Sequence, residues 1–165
     1  MPDSIRLRVA ADRALTDLME AALLGRRPAP PRFNQAVAVW WLSDSGRPEY
    51  LPTLLHFSAD TGWDTATFAI YGLMRHLSDE SVRARLLEVD ASAPNPVRNN
   101  MAVLLTKVND AQARALLAQL NHKTLSRDVV QRIEGLLSAP PETVGQVRWP
   151  CFEGDLKARK PSCME

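Results

Sequence analysis

Apolar residues recur along this chain on two nested periods. The shorter is the turn of an α-helix: Leu15, Leu18, Met19, Ala22 and Leu23 fall at i, i+3, i+4, i+7 and i+8. The longer is 31 residues. Laying Asp64–Val89 over Asn95–Leu120 sets Ile70 on Met101, Leu73 on Leu104, Asp79 on Asp110, Arg83 on Arg114, Leu86 on Leu117 and Val89 on Leu120. A second shift of 31 sets Val39, Leu42, Leu51 and Leu55 on Ile70, Leu73, Val82 and Leu86. A fixed period between roughly 20 and 50 residues, with two helical patterns in each, is the signature of stacked helix pairs. The expected fold is therefore all-α: a short right-handed solenoid of about three to four antiparallel helix pairs, with a leading helix and an irregular C-terminal tail. Residues 1–138 form the repeat domain and residues 139–165 the tail.

Residues 4–24 read as the first helix, capped by Asp3 or Ser4 and stopped by Gly25. Pro28, Pro30 and Pro31 make an extended connector. Phe33–Ser43 is rich in valine and tryptophan, which favour strands, but the 31-residue register places it on two clearer helices. Glu49–Ser58 is its partner, with Leu51, Leu54 and Leu55 inward and Pro52 delaying or kinking its start. Helices then follow over Asp64–Leu77, Glu80–Val89, Pro96–Val108 and Asp110–Leu120. Ser126 caps a last helix to Ser138, whose apolar face is Val129, Val130, Ile133, Leu136 and Leu137. Leu73, Leu86, Leu104 and Leu117 are the expected core.

Composition narrows the function classes. Twenty Lys+Arg against nineteen Asp+Glu leave a formal charge of +1, so there is no global basic face of the kind nucleic acid requires. No apolar run approaches the roughly 20 residues that span a bilayer, and Met1–Arg13 has no apolar core of a signal peptide. A cytoplasmic protein with no membrane partner is expected. Cys151 and Cys163 lie close together near the C-terminus without CxxC spacing or a nearby histidine, which suits two reduced thiols rather than a zinc or redox site.

The spacing resembles HEAT repeats, specifically the short bacterial kind related to phycobilisome-lyase-type repeats. Val97-Arg98 with Leu104 matches the family's opening helix. Ala66, Ala69 and Gly72 match its small positions, and Leu51, Leu54 and Leu55 followed by Asp60 match its second helix. The resemblance covers roughly Phe33 to Ser138. Asn99 and Asn100 depart from it, replacing the usual charged and small residues. The resemblance implies that second helices line a concave groove, which would set Arg83 and Arg114 side by side there, with Arg85 and Glu88 on the same helix.

Catalytic chemistry has little support in the residues. His56, His76 and His122 occupy different places in the repeat and do not converge as metal ligands would. Glu88 and Asp90 are two apart and do not share a helix face. No GxSxG, Walker or dinucleotide motif is present, and no cofactor is called for. Trp40 and Trp41 are adjacent, so one is expected inside and the other towards a neighbour or solvent. The expected function is a non-enzymatic protein-binding scaffold or adaptor, its partner another protein held in the groove by Arg83 and Arg114, which serve binding rather than folding. One alternative is an accessory subunit or enzyme of the HEAT-like lyase or DNA-glycosylase type. Another is nucleic-acid binding through Arg83, Arg98 and Arg114. In the tail, Val147, Trp149 and Phe152 flank Pro150 and are expected to pack back on the helices, partly shielding Cys151 and leaving Cys163 reactive.

Overall fold

A computed structural model describes residues 8–140. Every regular element among them is helical, with no strand. The elements are α1 (Arg13–Leu23), α2 (Gln35–Ser45), α3 (Leu51–Phe57), α4 (Trp63–Leu73), α5 (Glu80–Ser92), α6 (Asn95–Val108), α7 (Ala111–Leu117) and α8 (Arg127–Ser138). Short 3₁₀ turns occur at Pro48–Tyr50, Met74–His76 and His122–Thr124. Where one domain is expected over residues 1–138, the described chain forms two compact units that meet in sequence at His76 and Leu77. The tail residues Val147, Trp149, Cys151, Phe152 and Cys163, and the expected caps Asp3 and Ser4, lie outside the described residues.

The cap that is observed for α1 is Asp12, whose Oδ1 accepts from the Leu15 N–H at 3.0 Å. Residues 8–11 are also helical, so the long leading helix is broken at Asp12. A short acceptor on the residue that leaves helical φ/ψ satisfies a donor the helix itself cannot. Gly25 ends α1 as expected, at φ +67°, where a side chain would be strained.

In the first unit α2 and α4 form the principal packing, α3 lies against α4, and α1 against α2. The helix expected over Phe33–Ser43 is present as α2, which begins at Gln35 after its Asn34 cap. Burial on both sides explains its composition: Val39 and Leu42 are fully buried, and Trp40 is stacked on Phe68 with ring centroids 5.1 Å apart and planes 6° apart. Trp41 is half-buried. The small residues of α4 let α2 come close. The Ser43 hydroxyl donates to the Phe68 carbonyl at 2.7 Å. A Cβ built on Gly72 would sit 2.5 Å from Ser43 Oγ and 2.8 Å from Leu54 Cδ1.

Leu51 and Leu55 are half-buried rather than inward, while Thr53, Leu54 and Phe57 face the core. The 3₁₀ turn Pro48–Tyr50 is the cause. Each of its residues advances the chain about 120° rather than 100°, which rotates the face that α3 presents. Proline near the start of α3 has the expected effect of delaying it. Tyr50 is buried, donates to Asp17 Oδ1 at 2.5 Å, and has the Thr16 hydroxyl 2.7 Å from its oxygen.

In the second unit α6 is central and packs on α5, α7 and α8. Asp79 and Asp110, equivalent in the 31-residue register, both cap the following helix, accepting from Ser81 N at 2.8 Å and Ala113 N at 2.7 Å. Val82 and Ala113, and Leu86 and Leu117, are buried at matching positions. The expected core residues Leu73, Leu86, Leu104 and Leu117 expose 0 or 1% of their surface. On α8 only Val129 and Ile133 are buried; Val130, Leu136 and Leu137 are partly covered. Ser126 sits at the N-cap of α8 but its side chain makes no cap bond. Its N–H donates instead to Asn99 Oδ1 at 2.9 Å, so a side chain of α6 holds the start of α8.

Three substitutions measure this packing. Leu104→Ala should lower unfolding free energy by about 2–5 kcal/mol. Gly72→Ala should cost about 1–3 kcal/mol through overpacking. Gly135→Ala, with nothing within 4 Å of the added Cβ, should raise stability by about 0.5–1 kcal/mol through helix propensity. Urea unfolding reads all three; a neutral Gly72→Ala would mean that α2 and α4 are not in close contact there.

Burial, and then the bond to Asp17, hold the Tyr50 phenol above its ordinary value. Burial and the charge of Asp44 do the same for Tyr71. A raised folded pKa means the folded state keeps its proton longer, so the contribution is complete below about pH 10 and is lost as pH rises beyond it. The urea midpoint should therefore drop above about pH 10, with a shallower drop in Tyr50→Phe. An unchanged slope would remove Tyr50 from the account.

Candidate functional site

The Arg83–Arg114 pair comes first, because the 31-residue register singles it out. Both guanidinium groups are half-buried and bonded to the protein's own backbone. Arg83 Nη1 donates to the carbonyls of Leu77 and Ser78, each at 2.8 Å. Arg114 Nη2 donates to Ala139 O at 2.8 Å and Leu137 O at 3.5 Å, and its Nη1 to Asn109 Oδ1 at 3.3 Å. Ser78 and Asn109 are themselves equivalent at the 31-residue shift, so each arginine reaches back to the turn before its own helix. These bonds fasten turns and a helix end, a folding task that the expectation of binding rather than folding does not allow for. Arg85 and Glu88 pair with each other at 2.7 Å, partly exposed. Such a pair contributes little.

Arg98 belongs to a different setting. It lies in the first turns of α6, with Nη1 donating to Asp90 O at 3.1 Å and Nη2 to Asn95 Oδ1. Asp90 is 6% exposed and its Oδ2 accepts from Asn121 N at 2.8 Å, fixing the turn that follows α7. That turn brings residues 123–126 against Asn95, Arg98 and Asn99, and together they line an open cleft of about 490 Å³.

The cleft is rich in hydrogen-bond donors. Lys123 is exposed and has no hydrogen-bond or ion-pair partner. Asn95 and Asn99 use their carbonyl oxygens internally, as acceptors from Arg98 and Ser126, which leaves both amide N–H₂ groups available. The Ser126 hydroxyl is also without a partner. No Asp or Glu is among the lining residues. The starts of α6 and α8 both border the cleft, and neither carries a side-chain cap bond. Helix starts carry partial positive charge on their orphan N–H groups. The apolar component is Leu125, at 9% exposure.

The histidines occupy separate local settings. His122 bonds to Leu117 O at 2.8 Å, and His56 is exposed with its ring edge-on to Phe57. Among the described residues no three His, Cys, Asp or Glu side chains are grouped to hold a metal ion, and no helix is long and apolar enough to cross a membrane. Trp149 and Phe152 lie outside the described residues.

Of the binding residues proposed from the sequence, Arg98 lines the cleft. Lys123, Asn95, Asn99 and Ser126 were not singled out, although Asn99 had a visible signal as one of the two positions that depart from the HEAT pattern. Trp63, the first residue of α4, is 48% exposed, and among the described residues it is the large apolar side chain left open to solvent. No family model, curated protein or solved structure matches this chain.

The arginines separate by geometry. Arg83→Ala and Arg114→Ala should each lower stability by about 1 kcal/mol, the scale of a hydrogen bond made by a charged donor in a half-buried place. Arg85→Ala should stay within about 0.5 kcal/mol. Thermal or urea unfolding of the three variants checks this; equal effects would mean that the backbone bonds carry no weight.

Proposed function

We propose that this protein is a non-enzymatic binding module of HEAT-like helical repeats, and that it holds another protein at the cleft between the start of α6 and the His122–Thr124 turn. The observation that carries the reading is the accumulation of partnerless donors at one open place, Lys123, Ser126 and the Asn95 and Asn99 amides. Folded chains satisfy their polar groups internally or with solvent, and a cleft rimmed with donors suits a ligand that brings acceptors. A helical repeat surface supports the same reading, since stacked helices present extended faces to partners. The exposed indole of Trp63 is of the residue type that dominates protein-binding hot spots. The nucleic-acid alternative is weakened because Arg83 and Arg114 direct their donors at backbone carbonyls.

A photo-crosslinking amino acid at position 123, with an exposed position on α7, Gln112, as control, tests the proposal in the native cell. The expected result is a discrete protein adduct from position 123 and none from position 112. Adducts to nucleic acid from position 123, or none above the control, would overturn it.

A further inference from the structure

We infer that the cleft recognises carboxylates, and that the segment of the partner it takes is acidic; this rests on the protein-binding reading above. The chemistry on its walls is one-sided. Lys123 brings a full positive charge without an ion pair, and Arg98 lies beside it with its Nε buried and without an acceptor. Asn95 and Asn99 each have their carbonyl oxygen engaged, by Arg98 and by the Ser126 N–H, while their amide N–H₂ groups are open to a ligand. The Ser126 hydroxyl adds a donor that can rotate towards a ligand. Two helix starts without side-chain caps set the local field in the same sense. Among the described residues no carboxylate lines the cleft to answer these groups. A cationic ligand would meet the like charges of Lys123 and Arg98, whereas a carboxylate can accept from several of these donors at once.

Size selects a chain segment over a single small ion. A cleft of about 490 Å³ is far larger than one carboxylate and falls in the range that holds several groups, roughly 300–1,000 Å³. Its donors come from two separate elements, and Leu125 gives it an apolar contact for the aliphatic stem of a glutamate or a neighbouring side chain. An extended acidic stretch can place one carboxylate on Lys123 and Ser126 and a second near Asn95 and Asn99.

The test uses the full chain, ¹⁵N-labelled, titrated with an end-capped hexapeptide of alternating Glu and Gly. Its Gln–Gly counterpart and inorganic phosphate are titrated in parallel. The expected result is chemical-shift change at the Asn95, Arg98, Asn99, Lys123 and Ser126 amides with the Glu peptide alone, weakening as salt is raised. Lys123→Ala, at an exposed position without partners, should keep the fold and weaken binding about five-fold, the scale of one exposed ion pair. Equal shifts with the Gln peptide, or none with either, would overturn the carboxylate assignment; a protein adduct at position 123 would still stand, so the two failures are distinguishable. Phosphate binding as tight as that of the Glu peptide would overturn the acidic segment as the occupant and point to a small anion.

Discussion

Helix ends are the constraint on which this structure turns. The α-helices of the described residues are 7 to 14 residues long, and each leaves about four N–H and four C=O groups without an intrahelical partner. In helices this short the ends are a large part of the whole. The chain meets the donor side with short polar residues at Asp12, Asn34, Asp79 and Asp110. It meets the acceptor side with arginine. Arg47 donates to Ala11 O, Arg75 to Asp44 O, Arg83 to Leu77 O, Arg98 to Asp90 O and Arg114 to Ala139 O, each at or just beyond the closing turn of a helical segment. Positive charge there also opposes the negative end of the helix dipole.

The same constraint sets the cleft apart. At the starts of α6 and α8 the side-chain cap is missing, replaced by Pro94 in one case and by a serine whose hydroxyl points elsewhere in the other. A binding site is where a fold leaves polar groups ready for something outside itself, and among the described α-helices of the second unit these two starts are the ones without a side-chain cap. The neighbouring starts of α5 and α7, built on Asp79 and Asp110, are closed by their own aspartates. Burial of Asp90 beneath Arg98 and Asn121 fixes the geometry of the cleft wall without adding a negative charge to its lining.

Hydrophobic periodicity made much of the fold legible. It gave the helices, most of their ends and the core leucines, because side-chain burial in a helix follows directly from the spacing of apolar residues. It could not foresee the face of α3, which depends on how a proline-containing 3₁₀ turn rotates the chain before it. Nor does the period report which helices share a compact unit, so the division at His76 and Leu77 was invisible. The backbone bonds of Arg83 and Arg114 were hidden in the sequence for a chemical reason. A guanidinium group aimed at a partner and one aimed at a backbone carbonyl use the same donors, and only coordinates tell them apart. The cleft depended on contacts between residues more than twenty positions apart, such as Asn99 with Ser126. Its traces in the sequence were Arg98 and Asn99, the latter a departure from the HEAT pattern.

The crossing of α2 and α4 at Gly72 has a consequence for how this protein can change. The atom nearest to the missing Cβ is Ser43 Oγ, which itself holds the Phe68 carbonyl. Shrinking Ser43 would open room for a larger residue at position 72 but would remove the hydroxyl bond that ties α2 to α4 at that carbonyl; enlarging position 72 first would drive into the hydroxyl. The two sites are therefore epistatic, and their combined substitution should not equal the sum of the single ones. Homologues that diverge at this crossing are expected to change both positions together, so that a joint swap in the pair would mark descent with an altered spacing of these two helices.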